Sequence, residues 1–78
     1  MPDLSYFKRK TKEYHADFMI NDAYWANVDN GIEWIRYDIE QWNKHNADEP
    51  ERQFTQEESE NIIKEYRRIK QEAFERLR

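Results

Sequence analysis

The sequence predicts a small all-α domain, and three observations predict it. One glycine and two prolines punctuate 78 residues, too few for hairpins or sandwiches, which need turn residues every ~8–12 positions. Apolar side chains recur at spacings of three and four through most of the chain, the period of a helix face and not of a strand. A helix start is spelled out at Thr55-Gln56-Glu57-Glu58, where the threonine hydroxyl and the glutamate carboxylate each accept the other residue's backbone N–H in a capping box.

Beyond that cap, Ile62, Ile63, Tyr66, Ile69, Ala73, Phe74 and Leu77 fall in an arc of roughly 140°, the width of a core-facing helix stripe. Glu57, Glu58 and Glu60 crowd the start, and Arg76 and Arg78 stand at the end, each sign matching the helix macrodipole. Glu60–Lys64 and Glu72–Arg76 have the favourable i,i+4 order. These signals predict a helix over about 55–77. Lys70 falls inside the apolar arc. Its stem either covers the core edge while its ammonium reaches water, or that flank, with Phe74, faces a partner chain.

The first half carries a longer pattern. Leu4, Phe7, Thr11, Tyr14, Phe18, Asn21, Trp25, Val28, Ile32, Ile35, Ile39 and Trp42 follow one 3-4 alternation, with ten of the twelve apolar or aromatic, the spacing of a packed helix seam. Asn21-Asp22 offers a cap within it, and Asp29-Asn30-Gly31 offers a stop and restart. The expectation is two helices at about 4–20 and 22–44, or one long bent helix. A polar connection over 45–54 follows, in which Pro50 forbids helix and Phe54 tucks against the core before the Thr55 cap. The last helix then packs antiparallel on the first half, giving a single helical domain over 1–78.

Composition bounds the function. Ile, Leu, Val and Phe number 14 of 78, close to the disordered class, but twelve aromatics and a net charge of −4 favour a fold. Without cysteine there is no disulfide and no thiolate metal site. No apolar run approaches the ~18 residues that span a bilayer, and no signal-peptide core opens the chain, so a cytoplasmic protein without membrane contact is expected. Catalysis finds no set of residues. His15 with Met19 at i+4 makes a poor metal pair, His45 reads as a solvated residue at a helix end, and Gly31 alone makes no phosphate loop. Neither an enzyme, a metal nor a cofactor is expected.

Charge is segregated. Residues 1–28 balance, 29–60 carry ten acidic and three basic groups for a net of −7, and 61–78 carry six basic and three acidic for +3. An acidic middle attracts a basic protein surface and repels nucleic acid. Trp34, Tyr37 and Gln41 project from the side of their helix away from Ile32, Ile35, Ile39 and Trp42, among Glu33, Asp38 and Glu40. Exposed Trp and Tyr are the types that anchor interfaces. The expected partner-binding residues are therefore Trp34, Tyr37, Gln41, Glu33, Asp38, Glu57, Glu58 and Glu60.

The function these features suggest is a small, phage-like regulator or inhibitor that docks on a larger protein with a basic surface, such as a nucleic-acid-handling complex. Two alternatives stay open. The long seam would suit a helical homodimer with a structural or assembly role. The run Lys8, Arg9, Lys10 and Lys12 beside Tyr6, Phe7 and Tyr14 would suit weak nucleic-acid binding, against which the pI of about 5.2 argues.

Overall fold

The computed structural model describes Phe7 and residues 9–77. It is all-α, with α1 at Lys12–Ala23, α2 at Val28–His45 and α3 at Gln56–Arg76, and a 3-10 turn at Pro50–Arg52 before α3. Each helix packs against the other two. The first-helix start expected at residue 4, with Leu4, Tyr6 and Lys8, lies outside the described residues.

The first two helices are not near-continuous. Thr11 is extended, with φ −77° and ψ 155°, and its side chain accepts from the Tyr14 N–H, so α1 begins at Lys12 and does not run through from the fourth residue. Asn21 and Asp22 do not cap a new helix but belong to α1. The break falls at Tyr24–Asn27, where Asn27 is extended and its side chain accepts from the Asn30 N–H at 2.9 Å. Asp29, Asn30 and Gly31 form the first turn of α2 and stop nothing. An Asx cap with free N–H groups beyond it decides the boundary.

This break resets the helical phase, and the single seam does not survive it. On α2 the expected residues Ile32, Ile35, Ile39 and Trp42 are all buried, but on α1 Tyr14 and Phe18 are exposed and His15, Met19 and Ala23 take their place. Trp25 and Val28, also expected on the seam, are exposed. His15 stacks on Trp42 with ring centroids 4.5 Å apart and meets Phe7 edge-on at 5.7 Å. His45 is not free in solvent: it is half-buried and stacks on Phe7 at 4.6 Å.

The α3 cap forms as the sequence predicts. Thr55 accepts from the Glu58 N–H at 3.1 Å, and Glu58 accepts from the Thr55 N–H at 3.0 Å. Phe54 is buried before it. Glu72 pairs with Arg68 at 2.6 Å instead of with Arg76, and Glu60 accepts from Gln56. Helix α3 runs antiparallel to α2: Asn43, near the α2 end, bonds Phe54 on both backbone groups, while Gly31, near the α2 start, lies against Tyr66. Ile62, Ile63 and Tyr66 are buried, Ile69 and Ala73 are half-buried, and Phe74 and Leu77 are exposed. The apolar arc therefore outruns the helices that cover it.

The connection is held by Arg52. Its guanidinium donates to the Phe7 and Lys10 carbonyls and to Asn46 Oδ1, and it lies over the Trp42 ring at 5.1 Å. Asn46 is fully buried and donates to the Trp42 carbonyl at 2.8 Å, while Trp42 Nε1 donates to the Arg52 carbonyl. Side-chain donors thus reach backbone carbonyls on both sides of the connection.

Candidate functional site

Two surfaces stand out, one on α2 and one on the Lys70 and Phe74 flank of α3. On α2, Trp34 is 61% and Tyr37 53% exposed. Their rings meet edge-to-face, with centroids 6.2 Å apart and planes at 87°, a favoured aromatic geometry. They lie away from the buried Ile32, Ile35 and Ile39 because i, i+3 spacing from Trp34 follows the opposite side of the helix. Glu33 is exposed beside them and Gln41 is half-buried one turn on. Asp38 is half-buried too; burial, and then the neighbouring Asp22 carboxylate, raise its pKa. It faces α1 more than a partner.

Of the acidic residues at the α3 start, Glu58 is engaged within the fold, and Glu57 and Glu60 are exposed. Glu58 accepts from Lys12 Nζ at 2.7 Å and caps Thr55, and these bonds, the lysine's first, hold its carboxyl below the usual range. It therefore joins α1 to α3. Glu60 lines a crevice between α2 and α3 with Arg36, Glu40 and Asn43, and Glu57 is exposed at the first turn. Trp34 and Tyr37 line neither this crevice nor the one holding Lys12 and Glu58. Of the expected acidic residues, Glu58 is thus engaged with Lys12, and Glu60 lies with Glu40 and Arg36 in the α2–α3 crevice.

The basic run divides as well. Arg9 is exposed, Lys10 lies with Nζ 4.5 Å over the Tyr14 ring, and Lys12 is committed to Glu58; Lys8 lies outside the described residues. Among the described residues no group of three His, Cys, Asp or Glu side chains is placed to hold a metal ion. No helix of the described residues is long and apolar enough to cross a membrane.

The second surface is a groove of about 760 Å³ between the α1–α2 turn and the last turns of α3. Trp25, Val28, Phe74 and Leu77 supply its apolar part, and Arg67 and Lys70 its charge. Lys70 Nζ lies 5.5 Å from the Tyr24 ring centroid. The visible signal was the apolar arc of α3 continuing past Tyr66 with Lys70 inside it. The place of Trp25 beside that arc depends on the turn at residues 24–27, which periodicity does not report. No family model, no curated protein and no solved structure matches the chain.

Proposed function

We propose that the chain is a non-enzymatic protein-protein interaction module, a small cytoplasmic regulator or inhibitor that docks on a larger protein. The observation that carries this reading is the Trp34–Tyr37 pair, held edge-to-face and largely exposed on α2. Two large rings that add nothing to the core are a pre-organised anchor, since each brings wide contact area at small entropic cost. Exposed Glu33 beside them and the net of −7 over residues 29–60 favour a partner with a basic surface, such as a nucleic-acid-handling complex. With Glu58 engaged in the fold, the docking face narrows to Trp34, Tyr37, Glu33 and Gln41, with Glu57 and Glu60 contributing long-range attraction.

The test is affinity capture from lysate with the intact chain and with Trp34→Ala, Tyr37→Ala and Glu33→Lys variants. Truncating a hot-spot aromatic costs about 2 kcal/mol or more, so a genuine partner is lost from the Trp34→Ala and Tyr37→Ala captures and weakened in the third. A partner retained equally by all three variants overturns the reading.

A further inference from the structure

We propose that the groove between the α1–α2 turn and the end of α3 is a second docking site, built for an acidic amphipathic helix of another protein. It does not rest on the Trp34–Tyr37 face, which is a different part of the surface.

Helix α3 has no fully buried side chain after Tyr66, so one side of its last turns is left uncovered by α1 and α2. From Arg67 to Leu77 this stretch spans about 15 Å, the length of about three turns of a second helix. Trp25 at 88%, Leu77 at 86%, Phe74 at 58% and Val28 at 41% exposure line or border it. Scattered apolar residues on a surface mean little, but a contiguous group around a groove marks an interaction site. A small molecule normally has most of its own surface enclosed; side chains as open as Trp25 and Leu77 call for a broader cover. A groove beside a helix is the usual seat for the apolar stripe of a partner helix.

Charge selects among helices. The chain has 17 acidic residues against 13 basic ones, yet among the described residues the groove is lined by Arg67 and Lys70 and by no carboxylate. Neither cation makes an ion pair among the described residues. The Lys70 ammonium lies over the Tyr24 ring in the groove lining, so its stem follows the apolar surface. A second copy docked by two-fold symmetry would bring the same cations together across the interface, which opposes that arrangement. A helix with apolar anchors at i, i+3, i+4 and i+7 and glutamates on its flanks satisfies both features.

The experiment titrates the intact protein into a fluorescein-labelled peptide of about four helical turns, with Leu and Phe anchors and Glu flanks, and into its twin with Lys for Glu. Fluorescence anisotropy is expected to show the acidic peptide binding at least about tenfold tighter. Trp25→Ala and Phe74→Ala each weaken it at least about tenfold, while Arg67→Glu with Lys70→Glu reverses the preference between the peptides. Trp25, Arg67 and Phe74 are exposed and Lys70 is half-buried, and unchanged far-UV circular dichroism confirms that the variants fold. Trp34→Ala leaves peptide binding unchanged, which separates this site from the α2 face. Equal binding of the two peptides, no binding of either, or binding indifferent to Trp25→Ala and Phe74→Ala overturns the proposal. So does a concentration-dependent dimer dispersed by Trp25→Ala, which would seat a second copy there. Binding to anionic phosphatidylglycerol vesicles in place of the peptide would assign the groove to a membrane surface and equally overturn it.

Discussion

The Tyr66 phenol occupies the space that a side chain on Gly31 would fill: a Cβ at residue 31 would lie 2.0 Å from the tyrosine oxygen and 2.4 Å from its Cζ. The ring is fully buried, and its hydroxyl donates to the Ala23 carbonyl at 2.9 Å. One contact therefore joins the end of α1, the start of α2 and the middle of α3. Burial pushes the phenol pKa up, which keeps it a donor.

Gly31→Ala is expected to destabilise the protein by about 1–3 kcal/mol through overpacking, despite the better helix propensity of alanine. Tyr66→Phe removes the nearest atom but also the hydrogen bond, at a cost of about 1 kcal/mol or more. Because the two act on one contact, the double variant should lose less than the sum of the singles. Urea unfolding of all four proteins checks this, and strict additivity would refute the contact.

Stability should fall on mild acidification through His15. The imidazole is 2% exposed, and neither ring nitrogen has a hydrogen-bond partner among the described residues; burial lowers its pKa from 6.5 to about 4. Between those values the unfolded chain holds more protons than the folded one, so stability rises with pH across this window. Full stability is present above about 6.5, and up to about 3 kcal/mol is lost by about pH 4. His15→Leu should flatten the dependence between about pH 5 and 7, as measured by urea midpoints; an unchanged slope would show that another group titrates.

Arg52→Ala should cost at least about 2 kcal/mol, because it strips donors from the Phe7 and Lys10 carbonyls and from buried Asn46 at once. Lysine should rescue little, since one ammonium cannot reproduce the guanidinium fork. Thermal unfolding of the two variants decides; a stable Arg52→Lys protein would mean that charge alone suffices.

The three tryptophans should separate by accessibility. Trp25 and Trp34 are 88% and 61% exposed and Trp42 is 0%. Acrylamide should quench the first two readily and leave a protected fraction that disappears in Trp42→Phe. Trp34→Ala should change stability by less than about 0.5 kcal/mol, whereas Trp42→Ala should cost about 3–5 kcal/mol. A destabilised Trp34→Ala protein would give that ring a structural role.

Much of this fold was legible because its signals are local. The Thr55–Glu58 box, the stripe of Ile32, Ile35, Ile39 and Trp42, and the tucked Phe54 each follow from neighbours within a few residues, and all appear where the sequence places them. The Trp34–Tyr37 pair was legible for the same reason: its side of α2 follows from the buried side. The acidic cluster was not, because whether Glu58 faces a partner or Lys12 depends on how α1 lies against α3.

By itself, then, the sequence determined that the chain is helical, where α3 begins and which side of α2 is buried, since caps and periodicity are properties of one segment. Only the tertiary structure decided that α1 buries His15, Met19 and Ala23 instead of its larger rings. It also decided that Gly31 is a packing position and that Trp25 meets Phe74 and Leu77 around a groove. The physical reason is the turn at Tyr24–Asn27. It shifts the helical phase by an amount that no repeat encodes, and from there burial depends on which surfaces come to face each other.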